Sequence, residues 1–373
     1  MRNRIVTAGV VLAMAAAAYG CGGTDTTGSA SSGTGGTSST ATSSATGTGG
    51  GSTSTATSTA ASTGTGTSTG TGGTPVVCTP ADGVVLALDT INFGDVGMDV
   101  SATQKLGFNV DGLVSTAAST DLCQPVTGGS KNTVYPDGDM GIDNSFGKNI
   151  LPQLLKLAPG FSDSTTNSIA DGEFSMMLNF VGLTAAADQP TLVTRLYGGT
   201  PLGFPPSFDG TDCWPVVPEL LSSPTDIKSS TVVFDKSSVV GNKWISGTAG
   251  TITLTVPTGP ASITLTIHKA SVSLDLSADH KSATGGLIGG VLDTDEFIKE
   301  VKKAIFAINP LYCGLIGQIE TQMRQSSDLL ADGSQDKAKT CNGISIGFGF
   351  TMKTIQLGGI GPKTTPATMA CTP

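Results

Sequence analysis

A run of alternating apolar and polar side chains between Thr251 and Leu276 restricts the fold of this chain more than any other feature. Its apolar members lie two residues apart within each group: Ile252, Leu254, Val256, Ile263, Leu265, Ile267, Val272, Leu274 and Leu276. A period of two is that of a β-strand with one face buried. Because the tetrapeptide Pro-Thr-Gly-Pro at 257–260 is typical of a turn, the stretch predicts consecutive antiparallel strands.

Further strand patterns lie on both sides of this run. We predict strands at Val84–Leu88, Leu106–Val110, Phe174–Phe180, Thr191–Tyr197 and Ile344–Ile355. In the last of these, glycines at positions 347 and 349 interrupt an apolar alternation, which indicates a bulge or a close approach by another part of the backbone.

Helical patterns are fewer and lie mainly in the C-terminal part. One helix is predicted at Ile150–Ala158. A second begins after Asp293, because Glu296 three residues later completes a start that resembles a capping box, and it ends at Pro310. A third is predicted at Leu311–Leu330. We interpret the apolar stripes of these helices as ordinary core packing.

These patterns predict a β-rich α+β domain in which antiparallel sheets form a sandwich-like core and a C-terminal pair of helices packs on them. The domain is expected to occupy residues 76–373. The proline-rich stretch at residues 202–224 is the only candidate boundary within it, and a division into two subdomains at that stretch is left open.

The tract from Gly22 to Thr74 consists almost wholly of glycine, serine, threonine and alanine, with Asp25 as its only charged residue. It has no aromatic or branched aliphatic side chain to bury, so burial cannot offset the entropy lost on ordering its backbone. We therefore predict that residues 21–75 are a disordered linker between an N-terminal anchor and the folded domain.

The first twenty residues have the organisation of an export signal. Two arginines precede an uncharged apolar run that is shorter than the roughly 20 residues of a membrane-spanning helix. The segment Ala-Tyr-Gly-Cys at 18–21 resembles the bacterial lipobox. Residues 1–20 are thus predicted to be a lipoprotein signal peptide and Cys21 the lipidated residue, which makes the membrane a partner. Because Gly22 rather than aspartate follows Cys21, the outer membrane is favoured over the inner one.

The remaining cysteines indicate disulfide bonds. The chain has seven, and six lie outside the predicted signal and anchor. An even number in an exported chain predicts three disulfides, whereas the absence of any C-x-x-C spacing disfavours a zinc or redox site. Among several connectivities that remain open, we expect the pairs Cys78–Cys371, Cys123–Cys213 and Cys313–Cys341.

The net charge and the sequence motifs narrow the range of functions expected for this chain. The formal net charge of −9 disfavours nucleic acid as a partner, because nucleic-acid binding needs basic patches. The sequence has no P-loop or H-E-x-x-H motif, and its two G-x-S-x-G matches, at 66–70 in the predicted linker and at 343–347 at the start of a predicted strand, do not open a helix as a nucleophile elbow does. We therefore expect a non-catalytic binding or structural module of the cell envelope, with a glycan or an envelope protein as candidate ligands. An exported carbohydrate-active hydrolase with paired carboxylates is the alternative, and a carrier of apolar ligands is a third hypothesis.

One acidic loop is a candidate cation site. Asp137, Asp139 and Asp143 follow one another with glycines between them, and calcium takes six to eight oxygen ligands. The spacing does not fit an EF-hand, so a calcium site here would be irregular and completed from elsewhere, for example by Asp95 and Asp99. The competing interpretation is a turn in which Asp143 or the following Asn144 caps a short helix.

Two segments carry a resemblance to a family. GIDNSFGKNI at 141–150 and CNGISIGFGF at 341–350 resemble segments that recur in lipoproteins of myxobacteria, in which a lipidated cysteine is likewise followed by a linker rich in threonine and serine. The resemblance implies an exported lipoprotein. It assigns no chemistry to any residue of either segment.

Overall fold

The computed structural model describes residues 78–79, 81–157, 159–247, 250–257, 262–363 and 369–372. All of them belong to one compact unit. The predicted signal peptide, the lipidation site at Cys21 and the whole of the predicted linker lie outside the described residues, so these predictions stay predictions.

Eleven strands and five α-helices are present in the described residues. The strands are β1 (Gly83–Asn92), β2 (Ser175–Val181), β3 (Gln189–Gly199), β4 (Cys213–Val216), β5 (Val232–Val240), β6 (Lys243–Ile245), β7 (Gly250–Pro257), β8 (Ser262–Leu276), β9 (Ser282–Asp293), β10 (Gly343–Thr354) and β11 (Gln356–Ile360). The helices are α1 (Lys131–Val134), α2 (Leu151–Leu157), α3 (Phe161–Ala170), α4 (Thr294–Ile308) and α5 (Ile316–Gln325). A six-residue 3₁₀ turn, Pro310–Leu315, joins α4 to α5.

The sheet closes into a barrel of eight strands. Strands β3, β2, β1, β10, β9, β8, β6 and β5 pair in that order, and antiparallel pairing of β5 with β3 completes the ring. The prediction of a β-rich, antiparallel fold is therefore confirmed, but the sandwich-like arrangement was wrong. Alternation along a strand shows that one face is buried, yet it does not reveal whether a sheet faces a second sheet or curls onto itself.

Aromatic side chains fill part of the barrel interior. The indole of Trp244 on β6 lies edge-on to the rings of Phe180 and Phe234, at centroid distances of 5.4 and 5.7 Å. Its Nε1 donates to Thr194 Oγ1 at 3.2 Å, so the buried polar atom is satisfied. The predicted alternation on β7 and β8 is confirmed, because the apolar side chains from Ile252 to Leu276 are buried.

A second, smaller core covers the outer face of β1, β2 and β3. Strands β4 and β11, which pair in parallel, extend the sheet from the edge of β3. Trp214 on β4 is fully buried against this face, and its Nε1 donates to the carbonyl of Thr200 at 2.8 Å. The stretch at residues 202–224 thus contributes a strand to the same sheet within the single compact unit.

The C-terminal helices pack against the barrel as a pair. Asp293 caps α4, since its Oδ1 accepts from the amides of Asp295 and Glu296 at 2.9 and 3.0 Å. Helix α4 lies on β8 and also contacts α5. The start at Asp293 and the helix before Pro310 are confirmed, whereas the predicted helix at Leu311–Leu330 is shorter and begins with the 3₁₀ turn.

Leu106–Val110 is not a strand. It crosses the outer face of the sheet, and only Phe108 forms an isolated bridge, with Asp143. Its apolar side chains alternate because the segment lies over β9 and β10, where glycines leave room for a second layer. A Cβ added to Gly347 would lie 2.3 Å from the carbonyl oxygen of Leu106, so the predicted close approach at this glycine is confirmed.

Three disulfides are present, as their number predicted, but all three expected pairings were wrong. The bonds are Cys78–Cys213, Cys123–Cys341 and Cys313–Cys371.

Backbone pairing explains these bonds. Thr79 bridges to Leu357 while Gln356 pairs with Cys213, so Cys78 lies next to β4. A parallel bridge between Gln124 and Thr340 aligns the cysteines on either side of it. Cys371 donates its amide to the carbonyl of Lys302 on α4, which brings the C-terminal segment to the turn that holds Cys313.

Candidate functional site

The two segments that carry the family resemblance lie against each other. Asn144 Oδ1 accepts from the amide of Gly347 at 3.1 Å, and its Nδ2 donates to the carbonyl of the same glycine at 2.9 Å. Strand β1 ends opposite Gly349, so the carboxamide of Asn144 continues the hydrogen-bonding ladder of β10 where the neighbouring strand has stopped. Asn144 Oδ1 also accepts from the amide of Gly147, which supports the interpretation as a capped turn.

A buried carboxylate strengthens this junction. Asp328 accepts from the amide of Ser345 at 2.8 Å and from its hydroxyl, and Ser345 Oγ accepts in turn from the amide of Ser145 at 2.7 Å. Burial raises the pKa of Asp328 to about 7, although the hydrogen bonds from Ser345 oppose this rise.

Asp143 is the second buried carboxyl group of the cluster. Its Oδ2 accepts from the amides of Val110 and Asp111 at 2.6 and 3.4 Å. Burial raises its pKa to about 9, and the negative charges of Asp328, Asp111 and Asp137 add to the rise. Asp143 is consequently a neutral acid at pH 7 in the folded protein.

One cation belongs to the cluster. Lys148 Nζ donates to the carbonyl of Pro136 at 2.6 Å. Burial lowers the pKa of this amine, while the charges of Asp328, Asp137 and Asp143 oppose the decrease. The cluster therefore combines raised carboxyl pKa values with a lowered amine pKa, a pattern that occurs at active sites and in buried structural networks alike.

The size of the adjoining cavity distinguishes these two roles. The space beside Lys148 and Asp328 has a volume of about 10 Å³, which is roughly what one water molecule needs. Both carboxyl groups are held by backbone amides, and no sugar ring fits there. We conclude that this cluster is a structural junction, and it offers no carboxylate pair to the hydrolase hypothesis.

The three aspartates predicted to bind calcium do not share one site. Asp143 faces the amides described above, Asp137 accepts from the amide of Ser115 at 2.5 Å, and Asp139 is exposed. Asp95 and Asp99, the suggested additional ligands, accept hydrogen bonds from Ser162 and Ser101. Within the described residues, no group of three or more His, Cys, Asp or Glu side chains is placed to hold a metal ion. Calcium binding stays a prediction without a ligand set.

An apolar cleft with a volume of about 270 Å³ opens between α2 on one side and α4 and α5 on the other; we call it the helical cleft. Eleven of its lining side chains are apolar: Ile150, Leu154, Phe161, Ile263, Val301, Ala304, Ile305, Ile308, Leu315, Ile319 and Met323. Six polar side chains also line it, all of them half-buried or exposed: Asn149, Gln153, Lys156, Tyr312, Gln318 and Gln322. An apolar lining with a few polar groups is typical of small-molecule sites.

A broader cleft of about 500 Å³ lies between β8 and α4, but its charged groups are largely paired with one another. His268 Nε2 lies 3.3 Å from Glu296 Oε2, and Lys303 pairs with Glu300. Lys302 is bound to Glu320 on α5 at 2.7 Å. Because most of its ionic groups already have partners, we regard the helical cleft as the better candidate site.

Leu154, Ile305 and Ile319 line the helical cleft and belong to helical stripes that we interpreted as core packing. That interpretation is confirmed, because Ile305 is buried in the main core and the other two side chains pack against it. The cleft beside them was not predicted, and Lys156 was not singled out. The helical period identifies which side chains share a face, whereas the gap between two such faces depends on how the helices are spaced.

None of the helices in the described part of the chain is both long and apolar enough to span a membrane. Comparison of the chain with protein-family models, with curated proteins and with solved structures gave no match.

Proposed function

We propose that this chain is a non-catalytic binding module of the bacterial cell envelope, tethered through a lipid on Cys21, which takes an apolar ligand in the helical cleft. The observation that carries the proposal is the lining of the cleft, which is apolar on α2, α4 and α5 and carries polar groups only on half-buried or exposed side chains. The Gly/Ser/Thr-rich tract supports the tether, since it would hold the domain away from a membrane surface.

The volume and chemistry of the cleft favour a ligand with a flexible apolar chain. A volume of about 270 Å³ lies near the lower end of the range for small-molecule sites. Each methylene transferred from water contributes about 0.8 kcal/mol, so a chain of about eight methylenes contributes about 6 kcal/mol. That exceeds the lower estimates of the cost of association, about 4 kcal/mol, by about 2 kcal/mol. A chain of this length therefore binds weakly, and each further methylene tightens binding about fourfold.

Binding of N-phenyl-1-naphthylamine, a neutral apolar dye whose fluorescence rises in apolar surroundings, tests the proposal. We expect saturable binding at one site per chain. Ile308 lines the cleft and is partly exposed, so Ile308→Asp should weaken binding by about tenfold because it introduces a charge into the apolar lining.

The matched control is Leu311→Asp, which introduces the same charge three residues away at a side chain that is 85% exposed and does not line the cleft. This variant should bind the dye like the unaltered protein. The proposal fails if the unaltered protein shows no saturable binding, or if Ile308→Asp and Leu311→Asp bind the dye equally well.

A further inference from the structure

We propose that the ligand of the helical cleft is a single-chain amphiphile with an anionic head group, a fatty-acid carboxylate being the simplest example, whose head lies beside Lys156. This inference rests on the proposed function and adds the chemical class of the ligand to it. It follows from the distribution of charge around the cleft and from the apolar character of its inner end.

Charge is distributed unusually at the cleft. The chain has 29 acidic and 20 basic residues, yet Lys156 is the only charged side chain among the described residues that line the cleft. Lys156 is exposed, and its Nζ lies 3.5 Å from Gln153 Oε1, which is at the limit of a hydrogen bond. A negative head group would thus meet a cation that no carboxylate of the lining neutralises.

Carboxamides make up most of the remaining polar lining of the cleft. Asn149 and Gln153 line the cleft from the same side as Lys156, and Gln318 and Gln322 line it from α5. Amide groups donate hydrogen bonds to a carboxylate without adding charge. The polar part of the lining therefore matches a small anionic head group with several acceptor oxygens.

The inner end of the cleft is wholly apolar. A void of about 10 Å³ adjoins it, and Leu154, Phe161 and Ile263 line both spaces. Aromatic rings of Phe93 and other phenylalanines complete the void. A polar group placed there would lose its hydrogen bonds to water without replacement. The ligand must accordingly be apolar at one end, with its polar group directed toward Lys156.

Three amphiphiles that share a twelve-carbon alkyl chain and differ only in the head group test the inference: tridecanoate, dodecanol and dodecyltrimethylammonium. Each is titrated against the dye-loaded protein below its micelle-forming concentration or, for dodecanol, below its solubility limit, and the displacement of N-phenyl-1-naphthylamine is measured. An exposed ion pair contributes at most about 1 kcal/mol, so tridecanoate should bind about fivefold more tightly than dodecanol. The cationic amphiphile should bind more weakly than dodecanol.

Three variants assign the preference to Lys156. Lys156→Gln should abolish the preference for tridecanoate over dodecanol, whereas Lys156→Arg should retain that preference. Lys105→Gln removes an exposed lysine that does not line the cleft and should behave like the unaltered protein. In the unaltered protein, the preference should also shrink at high salt, because salt screens exposed charges.

The outcomes separate this inference from the proposed function. If the unaltered protein binds tridecanoate and dodecanol equally, or if Lys156→Gln keeps the preference, the anionic head group is refuted and the apolar site stands. If neither the dye nor any of the amphiphiles binds, the proposed function itself is refuted.

Discussion

Replacing Asp143 by asparagine should remove much of the pH dependence of this protein's stability. Asp143 is buried, and its raised pKa of about 9 means that the folded protein holds it as a neutral acid at pH 7. In the unfolded chain the same group ionises near its ordinary pKa of 3.8. Asparagine resembles the neutral acid in shape and keeps an oxygen that can accept from the amide of Val110.

The sign and size of the effect follow from proton linkage. Between the unfolded and folded pKa values the native state binds more protons than the unfolded state, so stability falls as the pH rises. The loss amounts to at most about 1.4 kcal/mol per pH unit for one group. From pH 5 to pH 8 the contribution of Asp143 therefore falls by up to about 4 kcal/mol.

Asp328, whose pKa is raised to about 7, adds a similar decline that levels off above pH 7. Asp328 is still present in the variant Asp143→Asn. We thus expect the variant to retain part of the slope between pH 5 and pH 7 and to be nearly flat from pH 7 to pH 8.

Urea denaturation at half-unit intervals from pH 5 to pH 8 measures the free energy of unfolding of both proteins. Asp139→Asn is the matched control, because Asp139 lies in the same loop and is exposed, so the same substitution there leaves the buried cluster unaffected. The reasoning is refuted if Asp143→Asn and the unaltered protein lose stability in parallel across this range, or if Asp139→Asn flattens the profile to the same extent.

Two further predictions concern the packing of the outer layer on the barrel. Gly347→Ala should lower the free energy of unfolding, measured by urea denaturation, by about 2 kcal/mol, because the new Cβ would meet the carbonyl of Leu106. The control is Gly359→Ala, on a strand with open space around that glycine, which should lower the free energy of unfolding by less than about 1 kcal/mol. Replacing Cys123 and Cys341 together by alanine should lower stability by about 2–4 kcal/mol, since their bond closes a long loop; an unchanged melting temperature under oxidising conditions would contradict that role.

Much of the barrel could be predicted from local pattern, because its strands are half buried and their alternation is visible in the sequence. Val84–Leu88 and Thr191–Tyr197 lie within strands of the structure. Strand β9 was missed because glycines occupy several of its positions. One of these is Gly289, where a Cβ would lie 2.9 Å from the ring of Phe108. Glycine weakens the strand signal at the places where the sheet accepts a second layer.

The pairing of distant segments could not be predicted, and the site depends on it. The pairing register of distant segments decides which cysteines form a bond. Cys123 bonds to Cys341 because Gln124 bridges to Thr340, and more than half of the described chain separates the two cysteines in sequence. The surroundings of the acidic loop at residues 137–143 could not be predicted for the same reason. Asp143 was recognised as unusual, but its environment includes Asp328, which no local pattern connects to it.

The acidic cluster and the helical cleft differ in how accessible they are. The carboxyl-rich cluster, which the sequence presents as a candidate for chemistry, is enclosed and satisfied by backbone amides and by Ser345. The helical stripes, which the sequence presents as core, leave an apolar cleft open between α2 and the C-terminal helices. A buried acid with no accessible space can hold segments together but cannot meet a substrate, whereas an apolar surface that stays unfilled lowers its free energy when a ligand covers it. Accessibility, rather than chemical reactivity, is thus the reason why we propose a binding role for the helical cleft and a structural role for the acidic cluster.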